Sequence, residues 1–442
     1  MYMIVDTRDD LEGLFGYIQD KKTLIVPVLA DSQLHASINN VSCIYVYTED
    51  DVERIVPIRH TEQITGFQED LQRFLDLKNV FVHDKKTWLQ IGGNGDVWDI
   101  KTLWWYTYGE AYDESYYPTP AHAFYWRRHT SLRNINTIIP LQQHLAMCQK
   151  IRHYAWPMCM NAELSDSYQH FDSVYPEVFA AIESAGLCVT ETFRMPELVT
   201  DGFVYSSYNY HTTTGRPSNA ARGFNYAAMN KEDGTRSAFR SRFDAGALVE
   251  MDFDAYHVRL IARLIGYPLP DGSVHEYFGR FYFDTEQLTA EQYEQSKQIT
   301  FRLLYGGIDA EFLSIPFFKQ VNDLVYTLWR QWKAKGYIET PVLKRPITSD
   351  SVKNMTANKL FNYFLQATET EVSVQKLRQC LAVLRGHETR MILYTYDSVL
   401  FDVPVTEAKD ILPRIKDALQ QGNFPVKVSV GNIYSKMNTI TL

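Results

Sequence analysis

Cysteine is scarce and unpatterned: Cys43, Cys148, Cys159, Cys188 and Cys380 are odd in number and show no C-x-x-C spacing. That argues against a disulfide framework and a structural zinc site, and fits a reducing, cytoplasmic setting. No run of 18 apolar residues exists, so no membrane-spanning helix and no membrane partner are expected. The acidic start, MYMIVDTRDD, is unlike a signal or transit peptide. Low-complexity tracts and internal repeats are lacking. Basic charge is not in excess either. Lys and Arg number 44 against 53 Asp and Glu, a net charge of −9. A surface coated in basic charge is excluded, but a local basic cleft is not. What is abundant is aromatic and apolar: 29 Tyr, 24 Phe and 45% hydrophobic residues over 442 positions. Large cores can be buried, and the length suggests roughly three domains.

Residues 23–29 (TLIVPVL), 41–47 (VSCIYVY) and 53–58 predict three short strands, rich in β-branched residues and separated by polar turns. Ile64, Phe67, Leu71, Phe74 and Leu75 predict a helix over 62–77, and NVFV a strand at 79–82. These define an α/β domain over 1–147. The stretch 104–126 holds ten aromatics, followed by Arg127 and Arg128. Such rings can stack bases, but a core or an interface is the simpler reading. Residues 168–186 predict a helix closed by Gly186. Residues 148–442 form a second, α+β unit.

In ALVEMDFDAYHVRLIARL (247–264) a strand runs into Asp252 and a helical stripe follows. An aspartate there is commonly an N-cap. In RMILYTYDSVLFDVP (390–404) two apolar strands flank a turn that presents Asp397. Two converging carboxylates can hold hard cations for phosphoryl transfer. Between them, AEQYEQSKQITFRLLYGGI (290–308) places Lys297, Phe301 and Tyr305 four apart, on one helix face. An ammonium followed by two rings suits a nucleoside triphosphate, although an amphipathic core helix has the same pattern.

In this order the segments resemble the DNA polymerase I family (family A). Its palm motif D-Y-S-Q-I-E-L-R is matched by residues 252–259, and its fingers helix by Lys297, Phe301, Tyr305 and Gly306. Its H-D-E turn is matched by Tyr396-Asp397-Ser398, and T-G-R by Thr214-Gly215-Arg216. Its N-x-x-x-Q-G-T helix is matched by Asn362, Gln366 and Thr368. The resemblance covers about residues 168–442. It implies an α+β right-hand polymerase fold with fingers at about 258–375 inserted in the palm. An RNase H-like exonuclease-type α/β domain would precede it. It implies a template-dependent DNA polymerase acting on primer–template DNA and deoxynucleoside triphosphates with two Mg²⁺ ions. Asp252 and Asp397 would hold the metals. Lys297, Phe301 and Tyr305 would hold the nucleotide, with His257 and His275 beside it. Arg216, Asn362 and Gln366 would touch the duplex. The small size suggests a phage or plasmid replication protein, working in the host cytoplasm if phage-encoded.

Several positions depart from the family. Tyr293 replaces a fingers arginine, His257 the palm glutamate and Ser398 the glutamate after the second aspartate. Asp254 is a candidate extra carboxylate. Only thirty positions separate Gly186 from Arg216, too few for the family's two long thumb helices at 1.5 Å per residue. A reduced or absent thumb, low processivity and a thumb-replacing protein partner are therefore expected. The first strand, 23–29, lacks the exonuclease D-x-E, and Trp88 stands where a second acid is expected. That implies a degenerate exonuclease without proofreading, with Asp31, Asp84, Asp96 and Asp99 as the residues able to form an altered site. The alternatives are a non-catalytic or partner-dependent replication subunit that keeps the fold, and a ribonucleotide-using polymerase or primase, to which His257 points.

Overall fold

The chain divides into two units, Met1–Ser184 and Ala185–Leu442. The computed structural model describes all residues except 1, 32–33, 63–66, 113–134, 162, 220–225, 227–228, 230–233 and 349–353.

In the first unit the elements are β1 (Tyr2–Ile4), α1 (Arg8–Ile18), β2 (Thr23–Leu29), β3 (Val41–Thr48), β4 (Glu53–Pro57), α2 (Leu71–Leu75), β5 (Phe81–Val82), α3 (Lys85–Gln90), β6 (Trp98–Asp99), α4 (Ile100–Tyr108), α5 (Leu141–Asn161) and α6 (Asp166–Ala185). The strands form one sheet in the order β1-β4-β3-β2-β5-β6. β3 is antiparallel to both β2 and β4, whereas β5 runs parallel to β2 and β6 parallel to β5. The sheet is therefore mixed, with antiparallel and parallel neighbours. Alternation along β2 buries Leu24, Val26 and Val28 on one face with Leu145, Ile151 and Trp156. Ile25 joins Leu11, Leu14, Phe74 and Trp88 on the other.

The expected boundary at 147/148 falls inside α5. Leu141, Leu145, Cys148, Ile151 and Ala155, three or four apart, lay that helix onto β2, β3 and β4, so it belongs to the first unit's core. The helix expected over 62–77 is shorter: a 3₁₀ turn (Gln68–Asp70) leads into α2, and residues 63–66 lie outside the described residues. Most of the aromatic stretch 104–126, with Arg127 and Arg128, also lies outside them; Trp105 packs in the core.

In the second unit the chain from Gly186 to Arg216 forms β7 (Leu187–Cys188), a 3₁₀ turn (Pro196–Leu198), β8 (Phe203–Val204) and β9 (Tyr208–Asn209). No α-helix lies in that interval. Then come β10 (Ser218–Asn219), β11 (Gly246–Phe253), α7 (Tyr256–Ile265), α8 (Val274–Phe283), α9 (Ala290–Gly306), α10 (Pro316–Lys335), β12 (Tyr337–Glu339), β13 (Pro346–Thr348), α11 (Ala357–Leu384), β14 (Arg390–Tyr394), β15 (Ser398–Pro404), α12 (Val405–Gln420), β16 (Val426–Gly431) and β17 (Asn438–Ile440). The central sheet has the order β14-β15-β11-β16-β17, all antiparallel. Helices α7 to α11 are thus inserted between sheet strands. Helix α12 packs on β11, β15 and β16, and the long α11 packs against α7, α10 and α12.

Candidate functional site

Strand register places the two aspartates side by side. Asp252, next to last in β11, is opposite Ser398 of β15, and Asp397 is the residue before Ser398. The Phe253 N–H donates to the Asp397 carbonyl at 2.8 Å, closing the ladder at that point. The hairpin stem is pinned by Tyr208, whose hydroxyl donates to the Tyr394 carbonyl (2.9 Å) and accepts from the Tyr394 N–H (3.1 Å). Ala255 (φ 45°) and Tyr396 (φ 72°) flank the pair in left-handed backbone. That conformation costs a non-glycine residue about 1–2 kcal/mol, and such strain persists where surrounding structure fixes it.

The opposite wall is α9. A capping box, Thr289 with Gln292, starts it, and Gly307 (φ 109°) follows its end. Phe301 and Tyr305 stack nearly parallel (6.1 Å, 7°), and the Phe301 ring lies 5.8 Å from His275. The Lys297 ammonium sits over the Tyr293 ring at 4.6 Å and pairs with Glu294 at 2.8 Å. That pair is solvent-exposed and worth at most about 1 kcal/mol, so a stronger anion can displace it.

A cavity of about 610 Å³ opens between these walls. Its lining contains nine of the ten residues expected from sequence: Arg216, His257, His275, Lys297, Phe301, Tyr305, Asn362, Gln366 and Asp397. Asp252, the tenth, lies beside Asp397 on the sheet rather than in the lining. Gly215 (φ 71°) turns the chain so that the Arg216 guanidinium stacks on Tyr396 at 3.8 Å. The Asn362 amide donates to the Tyr305 carbonyl at 3.1 Å, tying α11 to α9. Buried atoms Arg216 Nε, Asn362 Oδ1 and His275 Nδ1 make no hydrogen bond among the described residues.

The lining also holds Glu369, which the motif reading passed over. Asn362, Gln366 and Glu369 fall at i, i+4 and i+7 of α11, so helical spacing alone puts them on one face. Glu369 is only 2% exposed. Its Oε2 lies 3.0 Å from His257 Nε2 and 3.7 Å from the Arg216 guanidinium. His257 Nδ1 hydrogen-bonds the Tyr305 hydroxyl. Burial, then the Glu369 charge, raises the Asp397 pKa, while His257 and Arg216 oppose the rise. Burial, then Glu369, pushes the Tyr305 phenol up to about 12. Burial lowers His275, keeping its imidazole neutral.

Two expectations are corrected. Asp254 is not a spare carboxylate: Arg259 holds it at 2.9 Å. Arg259, the last residue of the matched palm segment, thus serves an ion pair within that segment. In the first unit, Asp84 and Asp99 cap α3 and α4, accepting from Thr87 N–H (3.0 Å) and Lys101 N–H (2.8 Å). Lysines meet the buried acids there, Lys101 at Asp84 and Lys85 at Asp172, both 2.8 Å. Burial, then the Asp84 and Asp172 charges, drives the Asp99 pKa well up. Asp96 pairs with surface Lys78 at 3.0 Å, and Asp31 takes the Asn39 amide oxygen on its N–H.

A five-stranded antiparallel sheet with helices inserted between its strands, and a cavity that brings Asp397 to Lys297, Phe301 and Tyr305, describe a right-hand polymerase fold. The fold matches the POL domain of Pol1 from M. smegmatis, solved in complex with DNA primer-template and dNTP. The TM-score is 0.75 at 15% identity, covering 98% of this chain and 99% of that one. In sequence the chain is 23% identical over 301 residues to DNA polymerase I of Synechocystis sp. and 23% over 274 residues to the thermostable DNA polymerase I of Thermus thermophilus. These matches cover 56% and 54% of this chain but 30% and 33% of the relatives, so it spans about a third of their length. No protein-family model matches. The resemblance drawn from the motifs is borne out: the relatives are family A DNA polymerases I, and the fold is that of their polymerase domain. No described helix is long and apolar enough to cross a membrane.

Proposed function

We propose that the chain is a template-dependent DNA polymerase that adds deoxynucleotides to a primer 3′ end. The observation that carries this reading is the cavity that brings Asp397 to Lys297, Phe301 and Tyr305, with Asp252 on the neighbouring strand opposite Ser398. The acids fit divalent cations. Both offer hard oxygen donors, and no ammonium or guanidinium pairs with Asp397 among the described residues. No group of three or more His, Cys, Asp or Glu side chains able to hold a metal ion occurs among the described residues. Two Mg²⁺ ions held by Asp252 and Asp397 would supply charge neutralisation and an activated primer hydroxyl.

The chain's own groups do the rest. Lys297 leaves Glu294 to bind the triphosphate, and Phe301 and Tyr305 stack the base. His257 and neutral His275 border the nucleotide, and Arg216, Asn362 and Gln366 meet the duplex. The interval 186–216, without an α-helix, supports a missing thumb. Low processivity, and a protein partner that restores it, follow from the lost backbone contacts. The lysine-neutralised acids of the first unit support a domain that does not proofread. A cytoplasmic replication role, in a phage or plasmid, completes the reading.

Primer extension with Mg²⁺ tests it. Wild type should add the templated nucleotide, and Asp397→Ala should not. Extension by ribonucleotides alone, or by neither, would replace this reading with a primase or a non-catalytic subunit.

A further inference from the structure

Helix α10 (Pro316–Lys335) buries one side, through Phe318, Val321, Val325 and Leu328. On the other side Lys319, Asp323, Tyr326, Arg330 and Lys333 recur four and three apart, so they form one stripe. All five are exposed, and the stripe runs about 21 Å at 1.5 Å per residue. Tyr326, at 55%, is the most exposed of the described aromatic residues. The half-buried Trp329 ring flanks the stripe, with the Lys333 ammonium 4.7 Å from its centre. Elsewhere exposed cations find acids: Arg280, Arg302 and Arg414 pair with Glu286, Asp309 and Asp410. Lys319, Arg330 and Lys333 make no ion pair among the described residues, even with Asp323 one turn from Lys319. The stripe is therefore net cationic in a chain of net charge −9. No residue of α10 belongs to the cavity lining.

Cations and rings share this stripe, and the two together narrow the ligand. Unpaired DNA offers both partners, phosphates for the cations and base faces for the rings. A duplex keeps its base faces stacked inside, so it meets the cations alone. An acidic polypeptide does the same. Exposed rings beside unpaired cations favour the single strand. We propose that the outer face of α10 is a second nucleic-acid site, separate from the cavity, that holds single-stranded DNA. Tyr326 and Trp329 stack bases there, while Lys319, Arg330 and Lys333 meet phosphates. No ion pair within the stripe has to break first. The site goes beyond the polymerase reading and stands without it, because strand binding at this face needs neither nucleotide nor metal.

The test is fluorescence anisotropy of a labelled oligothymidine strand with the full chain, in chelator and over a range of salt. The variants are Tyr326→Ala, Tyr326→Phe, Arg330→Ala/Lys333→Ala and, on α12, the charge-matched Lys409→Ala/Arg414→Ala. Every changed side chain is exposed, so thermal unfolding should show all the variants folded. Tyr326→Ala should weaken binding roughly five- to a hundredfold, the usual effect of losing one stacked base, with an unchanged salt slope. Tyr326→Phe, which keeps the ring, should bind like wild type. Arg330→Ala/Lys333→Ala should lower the slope of log affinity against log salt by about 1.4, since each phosphate contact to a single strand contributes about 0.7. The α12 pair should leave both slope and affinity near wild type. A blunt duplex and polyglutamate should bind more weakly, and neither should respond to Tyr326→Ala. Wild type that does not bind the strand, Tyr326→Ala that binds it unchanged, or equal effects of the α10 and α12 pairs would overturn the proposal. Polyglutamate that binds more tightly than the strand and displaces it would overturn it in favour of an acidic protein partner.

Discussion

Asp397→Asn should stabilise the protein while abolishing its reaction. Burial, then the Glu369 charge, raises the Asp397 pKa, so the folded chain holds that proton more readily than the unfolded one. For a raised carboxylate, the favourable contribution is complete below the unfolded value of about 3.9 and is lost as pH rises through the folded value. At pH 7 the ionised side chain therefore costs stability, and the isosteric amide removes that cost. The Asp397 side chain keeps exposed surface, so solvent screening holds the gain below about 1 kcal/mol. For a unit of this size that is a rise of up to about 2–4 °C in Tm. The assay is thermal unfolding in chelator at pH 7 and near pH 3. The two proteins should differ at pH 7 and coincide near pH 3, where both side chains are neutral. Mg²⁺ at a hundred times its Kd should then stabilise wild type by about 2.7 kcal/mol and the variant much less. Primer extension should fall by at least roughly 10²–10³-fold. A lower Tm for the variant at pH 7 without metal, or unimpaired extension, would refute the reasoning.

Lys297→Ala should raise the KM for deoxynucleotides roughly ten- to a hundredfold, because the exposed Glu294 pair and the Tyr293 ring compete only weakly for the ammonium; steady-state single-nucleotide insertion reads this. Lys85→Met should destabilise the first unit by about 3–5 kcal/mol in urea unfolding, since Asp172 would stay buried without its 2.8 Å partner. Burial also pushes Asp172 up to about 6, so its contribution to stability should fall as pH rises from about 4 through about 6. Extension with a heparin trap should stop after a few additions, because the interval 186–216 has no helices to grip duplex; long products past the trap would count against a missing thumb.

Much of this could be read from the residues. Strands 23–29 and 41–47 alternate between two buried faces, and β2 and β3 fall where that pattern puts them. The 290–308 helix carried its own start and stop, Thr289 and the Gly306–Gly307 pair. Other features left weak signals. β5 and β6 are two residues each, too short to show a period, and the pairing with β2 fixes them. Helix α1 has an N-cap, Thr7, and buries Leu11, Leu14 and Ile18, yet its charged first turn obscured that stripe. Asp254 and Asp84 read as spare acids because a sequence does not show which cation meets them. Glu369 lies one residue past the Asn362–Thr368 motif, so the motif does not mark it, although helical spacing puts it on the same α11 face.

The most direct measurement is single-nucleotide incorporation by wild type with Mg²⁺ on four primer–templates that differ only in the templating base. Each of the four deoxynucleotides is offered to each template. The account predicts incorporation for the complementary pair in every case. Addition that ignores the template base, or none at high protein and low salt, would contradict it.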